Sequence, residues 1–160
     1  MFRWTQEAQA WGKSLTEKKG DIFKTQFDLY YAYLLIGLID GKQRDNKDMR
    51  DLNDNFPEGY KERSKLIINL LLVVELKSQG IDAKNKKQVK GLIEKLIEES
   101  GNSLKSGDGG GFHACNKYAN AGFETMSNLL PKPSGKVDVF VNHYAGLLHN
   151  KLGGKNIFNE

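Results

Sequence analysis

The residue types best equipped for chemistry gather in one passage, "GDGGGFHACNKYANAGF" (Gly107 to Phe123), which joins a run of glycines to a histidine and the chain's single cysteine. A phosphate cradle, a Cys/His pair and a plain helix start compete for it. A Walker-type loop needs Lys and then Ser or Thr after its last glycine, but Gly111 is followed by Phe112 and His113. Gly109, Gly111 and Ala114 meet the loose dinucleotide spacing. Yet no strand leads into it, and no acidic residue follows at the distance needed to hold a ribose. What is left is a loop entering a helix, whose free N–H groups can attract an anion.

Cys115 and His113 do not share a helical face, because helix neighbours lie three or four residues apart. An enzyme using Cys115 therefore needs His143 or His149 delivered by folding, and this stands as the third functional alternative. Three histidines and one cysteine, with His143 and His149 six apart, make no zinc pattern. Asp48, Asp51 and Asp54 fall on one helical face but lack the loop and glycine of a calcium hand, so they read as a solvated charged face. No catalytic residue, metal or cofactor is assigned.

Two other groups carry stronger signals. Lys84, Lys86, Lys87 and Lys90 crowd the start of a predicted helix, where the helix dipole disfavours positive charge, so local stability does not explain them. Such lysines neutralise phosphates without reading bases, which predicts sequence-tolerant, salt-sensitive binding of DNA or RNA. The bland alternative is a solvated lysine face. The N-terminal aromatics, Phe2, Trp4, Trp11, Phe23, Tyr30 and Tyr33, form the second group. Tyr30 and Tyr33 diverge from the line of Phe27, Tyr31 and Leu34, which predicts exposed rings suited to a protein interface. The alternative is a helix buried on several sides.

The elements that must position these groups are all read as helices. Apolar residues recur at helical spacing almost throughout, and no segment alternates strictly between hairpin turns. The expectation is an all-α, single-domain bundle of about six to seven helices over residues 1–160. The first helix runs from about Thr5 to Lys19 and stops near Gly20. Thr25 and Asp28 cap a second that reaches Asp40 and Gly41. The charged stretch 42–55 reads as a short solvated helix. Pro57 opens a third long helix, apolar nearly all round and hence central, that closes at Gly80 and Ile81. Asp82 caps the next, with Val89, Leu92, Ile93, Leu96 and Ile97 inward and Gly101 at its end. A helix from about Gly111 to Leu130 stops at "PKP". A last one, Val137 to Leu152, lines up Val137, Phe140, Val141, Tyr144 and Leu148, before Gly153 opens a short tail.

At 160 residues the chain fits one core, which buries roughly two thirds of the unfolded surface. Its 39% hydrophobic and 28% charged content is that of a globular domain. No signal peptide or membrane span is legible, and one cysteine demands no oxidising compartment, so the expected place is the cytoplasm. A net charge of +4, mostly from lysine, permits acidic partners without requiring them.

The passages "KGDIFKTQFDLYY" (Lys19 to Tyr31), "YKERSKLIINLLLVVEL" (Tyr60 to Leu76) and "NKYANAGFE" (Asn116 to Glu124) resemble small all-helical accessory subunits of bacterial anti-phage defence-island systems. The resemblance implies a non-catalytic subunit beside larger ATPase or nuclease partners, near DNA. It matches no motif with assigned roles, so no residue role is carried over. The expectation is an interaction subunit that scaffolds a larger complex through the N-terminal aromatics. The alternative is direct nucleic-acid binding through the lysines. Self-association is left open.

Overall fold

The computed structural model describes residues 1–16, 22–130 and 137–153. Among them the chain forms six α-helices, a short 3-10 turn and a two-stranded sheet, in the order β1 (Phe2–Thr5), α1 (Gln6–Thr16), α2 (Gln26–Asp40), β2 (Met49–Asn53), the 3-10 turn Glu58–Tyr60, α3 (Ser64–Ser78), α4 (Lys86–Leu96), α5 (Gly111–Leu129) and α6 (Val137–Lys151). The protein is thus mostly helical. The stop expected near Lys19 and Gly20, the "PKP" turn and the tail beyond Gly153 lie outside the described residues.

The centre is the pairing of α2 with α5. Interior glycines cost a helix about 1 kcal/mol against alanine, and here a close approach requires them. A Cβ on Gly37 would stand 1.9 Å from the Tyr118 carbonyl oxygen, and one on Gly122 would stand 1.9 Å from that of Tyr33. The two backbones touch at this reciprocal crossing. Around it the aromatics interlock: the Phe2 ring lies 4.8 to 5.4 Å from those of Phe27, Tyr30, Phe56 and Phe112.

The start of α2 follows the expected cap. The Thr25 hydroxyl accepts from the Asp28 N–H, and the Asp28 carboxylate accepts from the Thr25 N–H at 2.7 Å. Gly41 ends α2 in the left-handed region at φ 61°. Asp28 also accepts from the Tyr60 hydroxyl at 2.6 Å, which ties the turn before α3 to the same cap.

Four expectations are corrected. First, Phe2–Thr5 is a strand that pairs antiparallel with Met49–Asn53, so the stretch 42–55 is a loop and a strand rather than a helix. Phe2 and Trp4 alternate inward about an outward Arg3, and Arg3 meets Asp51 across the ladder at 2.8 Å. The loop before β2 is pinned because the Arg44 N–H donates to the Lys117 carbonyl at 3.0 Å and its side chain pairs with Glu124. Second, α3 starts at Ser64, after a 3-10 turn, and is not central: Leu66 and Val73 are 62% and 61% exposed. Third, Asn85, not Asp82, caps α4, accepting from the Gln88 N–H, while Asp82 caps the preceding turn by accepting from the Lys84 N–H. Fourth, α4 ends at Leu96 because Ile97 bridges Leu104 and the Lys105 N–H donates to Leu96. Ile93, within the helix, is turned outward while Leu92 and Leu96 face the core. On α6, Val137 and Phe140 are buried and Val141, Tyr144 and Leu148 pack against them, on the expected stripe.

Candidate functional site

The glycine run serves packing. A Cβ on Gly110 would meet the Lys105 carbonyl at 2.5 Å, and one on Gly111 would meet the Leu96 carbonyl at 2.2 Å. The Phe112 N–H, at the first turn of α5, already donates to Lys105. The backbone of this turn is therefore docked on the α4 exit instead of being held open for a phosphate. Cys115, four residues further on, is fully buried. Desolvation, reinforced by the nearby Glu75 carboxyl, pushes its thiol well above the ordinary range. A thiol that stays protonated out of reach of substrate has neither the form nor the access a nucleophile needs.

The aromatic group is also inside. Phe2, Trp4, Trp11, Tyr30 and Tyr33 are buried, and Phe23 is half-buried with its ring 5.3 Å from Phe140. The exposure on which the aromatic interface rested is absent. The sheet carries Phe2 and Trp4 inward, and α5 covers the side of α2 that bears Tyr30 and Tyr33. The Tyr30 hydroxyl donates to Asn116 at 2.8 Å, whereas Trp4 Nε1 and the Tyr33 hydroxyl find no partner among the described residues.

The lysines stand where an interface would use them. Lys84 lies in the turn before α4, Lys86, Lys87 and Lys90 lie on its first turns, and all are exposed. Among the described residues only Lys90 meets a carboxylate, that of Glu94 at 3.6 Å.

Three features were not singled out from the sequence. The first is the outer face of α3. Leu66 and Val73 lie two turns apart on one face, nearly opposite the buried line of Ile68, Leu71 and Glu75, with Leu70 half-buried beside them. The second is Glu75, 6% exposed, whose carboxyl accepts from Gln43 Nε2 at 2.5 Å, Gln79 Nε2 at 2.7 Å and the Tyr118 hydroxyl at 2.8 Å. A lone carboxyl inside "LLLVVEL" was the available signal, because an acid in an apolar run must find donors or stay in water.

The third is a cleft of about 610 Å³ along α5, between the start of β1 and the loop before β2. His113, Asn116, Lys117 and Asn120 share one polar stripe on that helix and line it. Asp45 Oδ1 sits 3.1 Å from Lys117 Nζ and 4.0 Å from His113 Nε2, and Asp108 Oδ1 sits 3.4 Å from His113 Nδ1. A second cavity of about 380 Å³, which reaches Glu75, shares Asp108, His113 and Lys117 with the first. Asparagines four apart in an apolar helix were the signal here, since asparagine favours caps and turns over helix interiors. Among the described residues no helix is long and apolar enough to cross a membrane, and no three His, Cys, Asp or Glu side chains gather as metal ligands would. No family model, curated protein or solved structure matches the chain.

Proposed function

We propose that the chain is a single helical domain acting as a non-catalytic interaction subunit, which docks the outer face of α3 on a larger cytoplasmic protein. The observation that carries this reading is the exposure of Leu66 and Val73, 62% and 61%, on a helix that the core uses from one side only. Burying each such side chain is worth about 1.5–3 kcal/mol, a gain that a partner collects and the monomer does not. Isolated exposed apolar side chains need no explanation; Leu66 and Val73 on one face, with half-buried Leu70 between them, make an apolar strip interrupted by the exposed Asn69. Lys77 continues the strip and Lys65 flanks it, so the fitting partner surface is apolar with an acidic rim. The resemblance noted above spans the first thirteen residues of α3 and implies an ATPase or nuclease partner in an anti-phage complex.

The lysine helix favours a second reading, direct and sequence-tolerant binding of DNA or RNA, because Lys84, Lys86 and Lys87 are exposed without carboxylate partners among the described residues. One experiment separates the two. The protein, tagged at its C-terminus, is purified from its native host with and without nuclease, as wild type, as L66E/V73E and as K86E/K87E/K90E. A stoichiometric protein that survives nuclease, survives the lysine changes and is lost from L66E/V73E is the expected result. Retention of that protein by L66E/V73E would overturn the docking face. Partners lost to nuclease and to the lysine changes alike, with steep salt dependence, would replace the first reading by the second.

A further inference from the structure

We propose that the cleft along α5 binds a small sugar phosphate, with Lys117 and His113 taking the phosphate and Asn120 accepting from a hydroxyl of the sugar. The site is independent of the α3 face, since no α3 residue lines the cleft. Its volume, about 610 Å³, falls within the range of roughly 300–1,000 Å³ in which proteins hold small ligands.

Asn120 is the strongest indication. The residue is only 4% exposed, and what it shows lines the cleft, where its Oδ1 has no donor among the described residues. Its Nδ2 makes only weak contacts, 3.5 Å to the Arg44 carbonyl and 3.4 Å to the Met49 sulfur. Asn116, one turn earlier in the same wall, shows the contrast. Its Oδ1 accepts from the Arg3 N–H at 2.9 Å and from the Tyr30 hydroxyl at 2.8 Å, and its Nδ2 donates to the Met1 carbonyl at 3.3 Å. An amide oxygen that lines a cleft without a donor from the protein is open to a donor from a ligand.

The charges nearby indicate the other half of the ligand. The Asp45 oxygen between Lys117 and His113 occupies the position that a ligand anion would take. Asp45 and Asp108 stand on loops, with side chains 77% and 96% exposed, whereas Lys117 and His113 are held by the helix at 25% and 39%. Exposed ion pairs contribute little to stability, so the carboxylates can swing into solvent at small cost. A phosphate then gains charge-assisted hydrogen bonds about twice as strong as neutral ones. Lys47, exposed at the rim and without an ion pair among the described residues, can reach a third phosphate oxygen, which a planar carboxylate would not offer. Lys117 and Asn120 are neighbours on the helix surface, with Cβ atoms about 5–6 Å apart, so one small ligand can offer an anion to the first and a hydroxyl to the second, as a sugar phosphate does.

The test is calorimetric titration of the full chain with ribose 5-phosphate, inorganic phosphate and ribose. Ribose 5-phosphate is expected to bind saturably, inorganic phosphate about tenfold more weakly, and ribose not measurably. Lys117→Gln should weaken both phosphates about tenfold, and Asn120→Ala should reduce ribose 5-phosphate to the affinity of inorganic phosphate while leaving the latter unchanged. Lys47→Gln, at an exposed position on which folding does not depend, should weaken both about threefold and so tests the site even if Asn120→Ala fails to fold. No saturable binding of ribose 5-phosphate at millimolar concentration, or equal binding by wild type, Lys117→Gln and Lys47→Gln, would overturn the proposal.

Discussion

Helices α3 and α5 are both rich in apolar residues, yet they sit at opposite extremes of burial. No residue of α5 from Gly111 to Ser127 is exposed, whereas α3 leaves Lys65, Leu66, Asn69 and Val73 in solvent. The side chains alone do not account for this, since α3 carries the longer unbroken apolar run. The backbone does. Gly122 of α5 and Gly37 of α2 let two main chains come into contact, and once that crossing forms, the aromatics of α2 are trapped beneath α5. Helix α3 has no glycine, cannot approach as closely, and packs with one side only. Small residues thus decide which helix becomes the spine, and surplus apolar surface on the excluded helix is left in solvent.

The contrast breaks most sharply at the crossing. Gly37→Ala or Gly122→Ala places a methyl group 1.9 Å from a backbone carbonyl, and because neither backbone can yield alone, each change should cost about 3 kcal/mol in denaturant unfolding. Buried protons offer an intermediate effect. Burial raises the Cys115 thiol and the Tyr33 hydroxyl, and it pushes the Tyr144 hydroxyl up to about 12. Above the ordinary thiol value of 9.0 the unfolded chain releases protons that the native state still holds, so stability should fall steadily as pH rises from there. Urea midpoints at pH 7, 9 and 10 check the sign; a flat profile would show that these groups are wetter than the fold places them. The smallest effect is expected on α3, where L66E/V73E should change the stability of the isolated chain by no more than about 0.5 kcal/mol per site, because both side chains already face water. A larger loss would mean that the α3 face contributes to the chain's own core.

Much of the helical layout was legible because it rests on local rules. The Thr25–Asp28 cap, the left-handed stop at Gly41 and the Val137–Phe140 stripe each depend on residues within a turn or two of one another. The strands were not legible. Phe2–Thr5 is too short for alternation to stand out, and its partner lies more than forty residues away inside a charged stretch that also satisfies helical charge pairing. The cleft was hidden for the same reason: Asp45 reaches Lys117 only because β2 and Arg44 hold the loop against α5. Lys84, Lys86, Lys87 and Lys90 were found readily, since charge on a helix start shows in sequence whether or not it is used.

The sequence by itself determined a mostly helical chain, where most helices begin and end, and that Cys115 and His113 would not form a catalytic pair. These follow from hydrogen bonds and periodicities that span a few residues. Only the tertiary structure decided that the aromatics are core, that α3 shows an apolar face, and that Asn120 lines a cleft. Burial depends on how closely two distant backbones approach, and in this protein that distance is set by the meeting of Gly37 and Gly122.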